Sequence, residues 1–246
     1  MISKGMSIDR ESRAAAVRAL HAGVPFALYC LPEEEHARFI AAREYRHGAD
    51  SSHDREYGRD KNCDSFDISP WLGRFGSRIS IPAELTATDV LKLPQQHTAQ
   101  QPHTFYPGIS EDEYCRRVAR IAERCRRRDG KTVYSRIIAG ENPDLDIPMV
   151  AKRLFYTFPD SFCFLYNTPM TGCRLGASPE TLLDFDATTR RVSTMAFAGT
   201  RPASEGEAPW DEKNLRENRF VADYIRDKFR SLGIEPEISE PQTVRY

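Results

Sequence analysis

No apolar run in this sequence of 246 residues approaches the roughly 20 residues that a membrane-spanning helix needs. The opening residues Met1 to Met6 have no apolar core of the kind a signal peptide carries. Neither sign of charge is in excess: 35 Lys and Arg stand against 36 Asp and Glu, so nothing draws the chain to nucleic acid or to a membrane surface. The six cysteines, Cys30, Cys63, Cys115, Cys125, Cys163 and Cys173, include no CxxC pair and no metal-type spacing, and they read as reduced thiols. No internal repeat is present. These absences predict a soluble, cytoplasmic protein without nucleic-acid or membrane partners. The 40% hydrophobic content is enough for a sizeable core, in one large domain or two small ones.

Apolar positions at Ala14, Val17, Leu20 and Ala22 predict a helix over residues 7–22, and the run 25–31 reads as a buried strand. Residues 44–64 crowd His, Arg, Asp and Gly without periodicity and read as an exposed loop. His47, His53 and Asp54 there lack Cys or Glu at ligand spacing, so no metal site is expected. Short strands are expected at 66–68 and 78–81, joined by the glycine-bearing stretch 71–76. Residues 91–106, rich in Gln, Pro and His, read as a connector. Ser110 followed by Glu111, Asp112 and Glu113 is a helix start, and the pattern runs to Arg128. The basic end Arg126, Arg127 and Arg128 suits the helix dipole and solvent. A strand at 131–138, a helix at 144–156, strands at 161–166, 181–185 and 191–198, and a helix at 211–232 follow. Antiparallel strands with helices packed outside, an α+β fold, is the natural inference.

The stretch Cys173-Arg174-Leu175-Gly176-Ala177-Ser178-Pro179-Glu180 runs from an apolar segment into a Gly/Ser/Pro corner and sets Glu180 at a bend. A carboxyl held there can be partly desolvated, which suits a proton donor; by itself it also reads as a solvated turn residue. Before it stands Lys131-Thr132-Val133-Tyr134-Ser135-Arg136. After it come Ala198-Gly199-Thr200-Arg201-Pro202 and a helix carrying Lys213 and Glu217. Taken alone, Lys131 reads as a surface lysine near helical carbonyls, the glycine stretch as a turn, and Glu217 as a solvated helix residue.

In this order the four motifs resemble the chorismate-utilising enzymes: isochorismate synthases, salicylate synthases, and the large subunits of anthranilate and aminodeoxychorismate synthases. The resemblance is clear from Tyr114 onward. It implies a layered α+β sandwich of largely antiparallel sheet, with 1–104 as its family-variable N-terminal part and 105–246 as the first part of the catalytic domain. It also implies that Lys131 is the general base that activates water, where ammonia-using relatives carry an uncharged residue. Glu180 is then the acid that protonates the departing hydroxyl. Ala198, Gly199 and Thr200 would bind the substrate carboxylate, with Gly199 lacking a Cβ so that its backbone can come close. The resemblance implies Mg²⁺, held partly by Glu217.

The activity expected is that of an isochorismate synthase of menaquinone or siderophore biosynthesis, an isomerase that takes chorismate to isochorismate by water attack at C2 and loss of the C4 hydroxyl. An anthranilate or salicylate synthase-like enzyme, or an incomplete chorismate-binding fragment, is the alternative. Ala198 stands where aminodeoxychorismate synthases place a lysine, which disfavours that branch. Asn218 and Asn214 replace the usual His and a frequent acidic residue, which weakens the expected metal site. The later family elements, with a second metal-binding Glu and an Arg and Tyr for the carboxylate, are not in these residues. The chain is therefore expected to be truncated and inactive alone, or completed by a separate chain.

Overall fold

The computed structural model describes residues 6–32, 34–48, 64–69, 78–94, 108–128, 130–140, 142, 145–206 and 208–243. His53, Asp54, Cys63, the stretch 71–76 and most of the expected connector lie outside the described residues. In chain order the elements are α1 (Arg10–Ala22), β1 (Phe26–Cys30), β2 (Arg38–Ala41), β3 (Arg46–Gly48), β4 (Ser65–Ile68), β5 (Arg78–Pro82) and α2 (Ala87–Leu91). Then follow α3 (Glu111–Arg128), α4 (Ile147–Thr157), β6 (Phe162–Thr168), β7 (Gly172–Ser178), β8 (Asp184–Asp186), β9 (Arg191–Ser193) and α5 (Glu212–Ser231). The mixture of helices and antiparallel ladders is the α+β class expected. No described helix is long and apolar enough to cross a membrane.

The described residues gather into two compact units that do not follow chain order: those within Met1–Thr104 join those within Asp144–Pro179, and those within Phe105–Pro143 join those within Glu180–Arg245. The first unit is built on a four-stranded antiparallel sheet in the order β2-β1-β6-β7. Its register sets Leu28 opposite both Phe39 and Leu165, and Phe164 opposite Gly176. Successive side chains of β1 leave the sheet on opposite faces, and both faces are covered. Phe26, Leu28 and Cys30 enter a core with Ala15, Ala16 and Ala19 of α1, Val90 of α2, and Ala151 and Phe155 of α4. Ala27 enters a second cluster with Ile40 and with Ile81 of the three-stranded sheet β3-β5-β4. Full burial of Phe26, Leu28 and Phe155 contributes about 1.5–3 kcal/mol each. Asp9 caps α1 by accepting from the Ser12 amide at 2.8 Å and the Ser12 hydroxyl at 2.6 Å, and these bonds hold its carboxyl below the ordinary value.

Gly176 is not at the corner expected for it; it sits inside β7. A Cβ there would lie 2.6 Å from the Phe164 ring, so the glycine makes room for an aromatic side chain rather than for a bend. Strand β7 ends at Ser178, and the chain bends at Leu182.

The second unit corrects the strand expected at 131–138. Among the described residues that segment pairs with no strand. It runs instead along α3 in the opposite direction: Thr132 meets Cys125 at 3.6 Å, the Tyr134 hydroxyl accepts from Arg117 at 3.1 Å, and Arg136 pairs with Glu111 at 3.2 Å. The Tyr114 and Tyr134 rings stack at 5.5 Å, and the Tyr114 hydroxyl donates to the Tyr134 carbonyl at 3.0 Å. Side chains and one phenol have taken the place of a ladder. The strands expected at 181–185 and 191–198 shorten to the hairpin β8–β9, whose turn is closed by the Asp186 carboxylate accepting from the Thr188 amide at 2.8 Å and the Thr189 hydroxyl at 2.6 Å.

Candidate functional site

The first turns of α5 are the platform of the site. Asp211 caps the helix by accepting from the Asn214 amide at 2.7 Å. Asn214, Glu217 and Asn218 then share one face, being three and four residues apart. The segment 195–200 lies on that face. The Asn218 side-chain amide donates to the Ala196 carbonyl at 2.9 Å and to the Ala198 carbonyl at 3.4 Å. Gly199 has φ +84, a left-handed backbone that favours glycine, and a Cβ added there would stand 3.3 Å from both the Cβ and the carbonyl oxygen of Asn214. Beyond Thr200 the Arg201 guanidinium lies 4.1 Å from the Trp210 ring and donates to the Ala208 carbonyl at 2.5 Å and the Gly206 carbonyl at 2.9 Å, which closes the following loop on itself.

Lys131 reaches the same platform from the extended segment. With Thr132, Tyr134 and Arg136 engaged by α3, its side chain turns to α5, and Nζ stands 3.0 Å from Oε1 of Glu217. Each side chain keeps only 28% of its exposure, so the pair is partly shielded from solvent. Arg136, weighed as a neighbouring cation for Lys131, is taken up by Glu111 and by the face of the Tyr114 ring at 5.6 Å.

Four of the expected positions thus come to α5: Lys131, Ala198, Gly199 and Glu217. Glu180 lies beyond the end of β7 and is exposed, so the desolvation expected of a proton donor is not supplied by the described residues. Thr200 is exposed as well. The sequence reading missed what Asn214 and Asn218 do. It treated them as losses to a metal site, whereas they dock the glycine turn, and their spacing to Glu217 was the available signal.

Among the described residues no group of three or more His, Cys, Asp or Glu could hold a metal ion. Glu217 is a single carboxylate already facing an ammonium. Magnesium is held by oxygen ligands in near-octahedral geometry, and these residues alone do not compose such a site.

A family model described as chorismate binding enzyme matches residues 35–245. No curated protein and no solved structure matches the chain.

Proposed function

This chain belongs to the family of chorismate-binding enzymes, and we propose that within it the chain carries the base and the carboxylate-binding turn of an isochorismate synthase. The observation that carries the reading is Lys131 held at 3.0 Å from Glu217 on the helix that also docks Gly199. The family resemblance implies that a lysine at this position favours water over ammonia as the nucleophile. In the reaction, Lys131 takes a proton from water as the oxygen bonds to C2 of chorismate. The ring double bond shifts, and the C4 hydroxyl leaves with a proton from Glu180, so atoms and charge balance.

An ion-paired ammonium has no lone pair to offer. Opening of the Lys131–Glu217 pair is then the step that frees Lys131 to act on water. Glu180 is exposed, so bound substrate or further polypeptide has to exclude water around it. The family resemblance also implies Mg²⁺. Because the described residues do not compose its site, no step is assigned to it, and its requirement is a matter for chelation and add-back. A role in menaquinone or siderophore biosynthesis, and completion by a separate chain, belong to the same proposal.

One observation favours a second reading, a chain that binds chorismate without turning it over. The second unit offers a single carboxylate at the platform and leaves Val133, Ile138 and Leu182 at least 70% exposed, as a surface awaiting a partner would.

The test is Lys131→Ala in the enzyme containing this chain, with products identified by mass after incubation with chorismate, with and without ammonia. Isochorismate formation should fall by about a hundredfold or more while chorismate affinity changes little. Unchanged turnover removes the base assignment. Anthranilate or salicylate as the product moves the chain to another branch of the family.

A further inference from the structure

Helix α3 carries seven arginines, and their partners divide them. Arg116 and Arg117 pair with Glu113 at 2.9 and 2.7 Å, and Arg126 and Arg127 pair with Glu123 at 2.8 and 2.7 Å. Arg120 and Arg124 have no such partner among the described residues. Together with Arg117, Ile121 and Tyr134 they line an open recess of about 380 Å³ whose lining residues carry no carboxylate, Glu113 being engaged by Arg116 and Arg117 beside it. Arg120 and Arg124, four residues apart on one helix face, repel each other without a carboxylate between them, whereas Arg117 is already offset by Glu113, and a bound anion would offset the repulsion of the first two.

The charges are distributed, which selects the anion. From Arg117 to Arg124 the helix rises about 10 Å, more than a single carboxylate can span. Arg117 donates to the Tyr134 hydroxyl at 3.1 Å and leaves the hydroxyl hydrogen free to donate in turn, while stacking on Tyr114 fixes the ring. Ile121 supplies an apolar floor between the cations. We propose that this cavity on α3 is a binding site for a small molecule bearing a diphosphate or triphosphate, distinct from the Lys131–Glu217 platform. Arginine forks match phosphate oxygens two at a time, and two linked phosphates engage Arg120 and Arg124 together.

The experiment is calorimetric titration of the chain with inorganic pyrophosphate at low ionic strength and again at about 0.15 M salt. One pyrophosphate per chain should bind. The double variant R120Q/R124Q should weaken binding at least tenfold, and R126Q/R127Q, whose arginines lie outside the cavity, should change it less than twofold. Inorganic phosphate should bind at least tenfold more weakly than pyrophosphate. Circular dichroism confirms that both variants keep their helices. Absence of pyrophosphate binding, or equal weakening in the two variants, overturns the site. Citrate binding as tightly as pyrophosphate overturns the phosphate assignment. The readout is binding, so it stands or falls apart from any turnover of chorismate.

Discussion

One hydrogen at Gly199 decides whether the 195–200 turn can rest on α5. Its φ of +84 and the 3.3 Å approach to the Asn214 carbonyl both act against a side chain. Gly199→Ala should therefore cost about 1–3 kcal/mol, seen as a lowered denaturation midpoint. Gly233 also has a positive φ but meets nothing within 4 Å, so Gly233→Ala should cost less, the steric part being absent. The thiols give a second residue-scale prediction. Burial pushes Cys30, Cys163 and Cys173 up to about 11, while Cys115 is exposed. A thiol reagent near pH 8 should label Cys115 quickly and these three only after denaturation. The unfolded chain releases the same protons from 9.0 upward, so their contribution to stability is intact below pH 9 and is lost as pH rises toward 11. All five described cysteines are free.

Among the elements, the docking of 195–200 on α5 depends on one side chain. Asn218→Ala leaves the Ala196 and Ala198 carbonyls without their donor, at a cost of about 1–3 kcal/mol. Hydrogen exchange should quicken at 195–201 while the sheet of β1, β2, β6 and β7 stays unchanged. Most helices and the strands β1, β4, β5 and β6 of the first unit were legible in the sequence because apolar positions recur there, whereas β2, β7 and β3, the last within the segment that reads as an exposed loop, were not. The segment 131–138 was misread for a related reason. The alternation of Thr132, Tyr134 and Arg136 reports that one side is engaged, and it is the same whether the partner is a strand or a helix. The meeting of Lys131 with Glu217 could not be derived from spacing, since 86 positions separate them; the order of motifs implied that both serve one site, with Glu217 on a metal, and not that they pair with each other.

For the whole molecule, every buried hydrophobic residue among those described belongs to the first unit, and neither α3 nor α5 buries a residue fully. A unit held by partly buried contacts and surface ion pairs opens at lower free energy than one with a packed core. Limited proteolysis should cut first within 108–140 or 180–243, and the fragments retained longest should include β1 and β6. The threading of the first unit adds a constraint in time. Strand β1, complete at Cys30, finds β2 almost at once, but its other neighbour begins only at Phe162. About 130 residues therefore have to be synthesised after Cys30 before that central strand gains its second flank. Until then one row of its amides and carbonyls faces solvent, and the nascent chain is most exposed to mispairing in that interval.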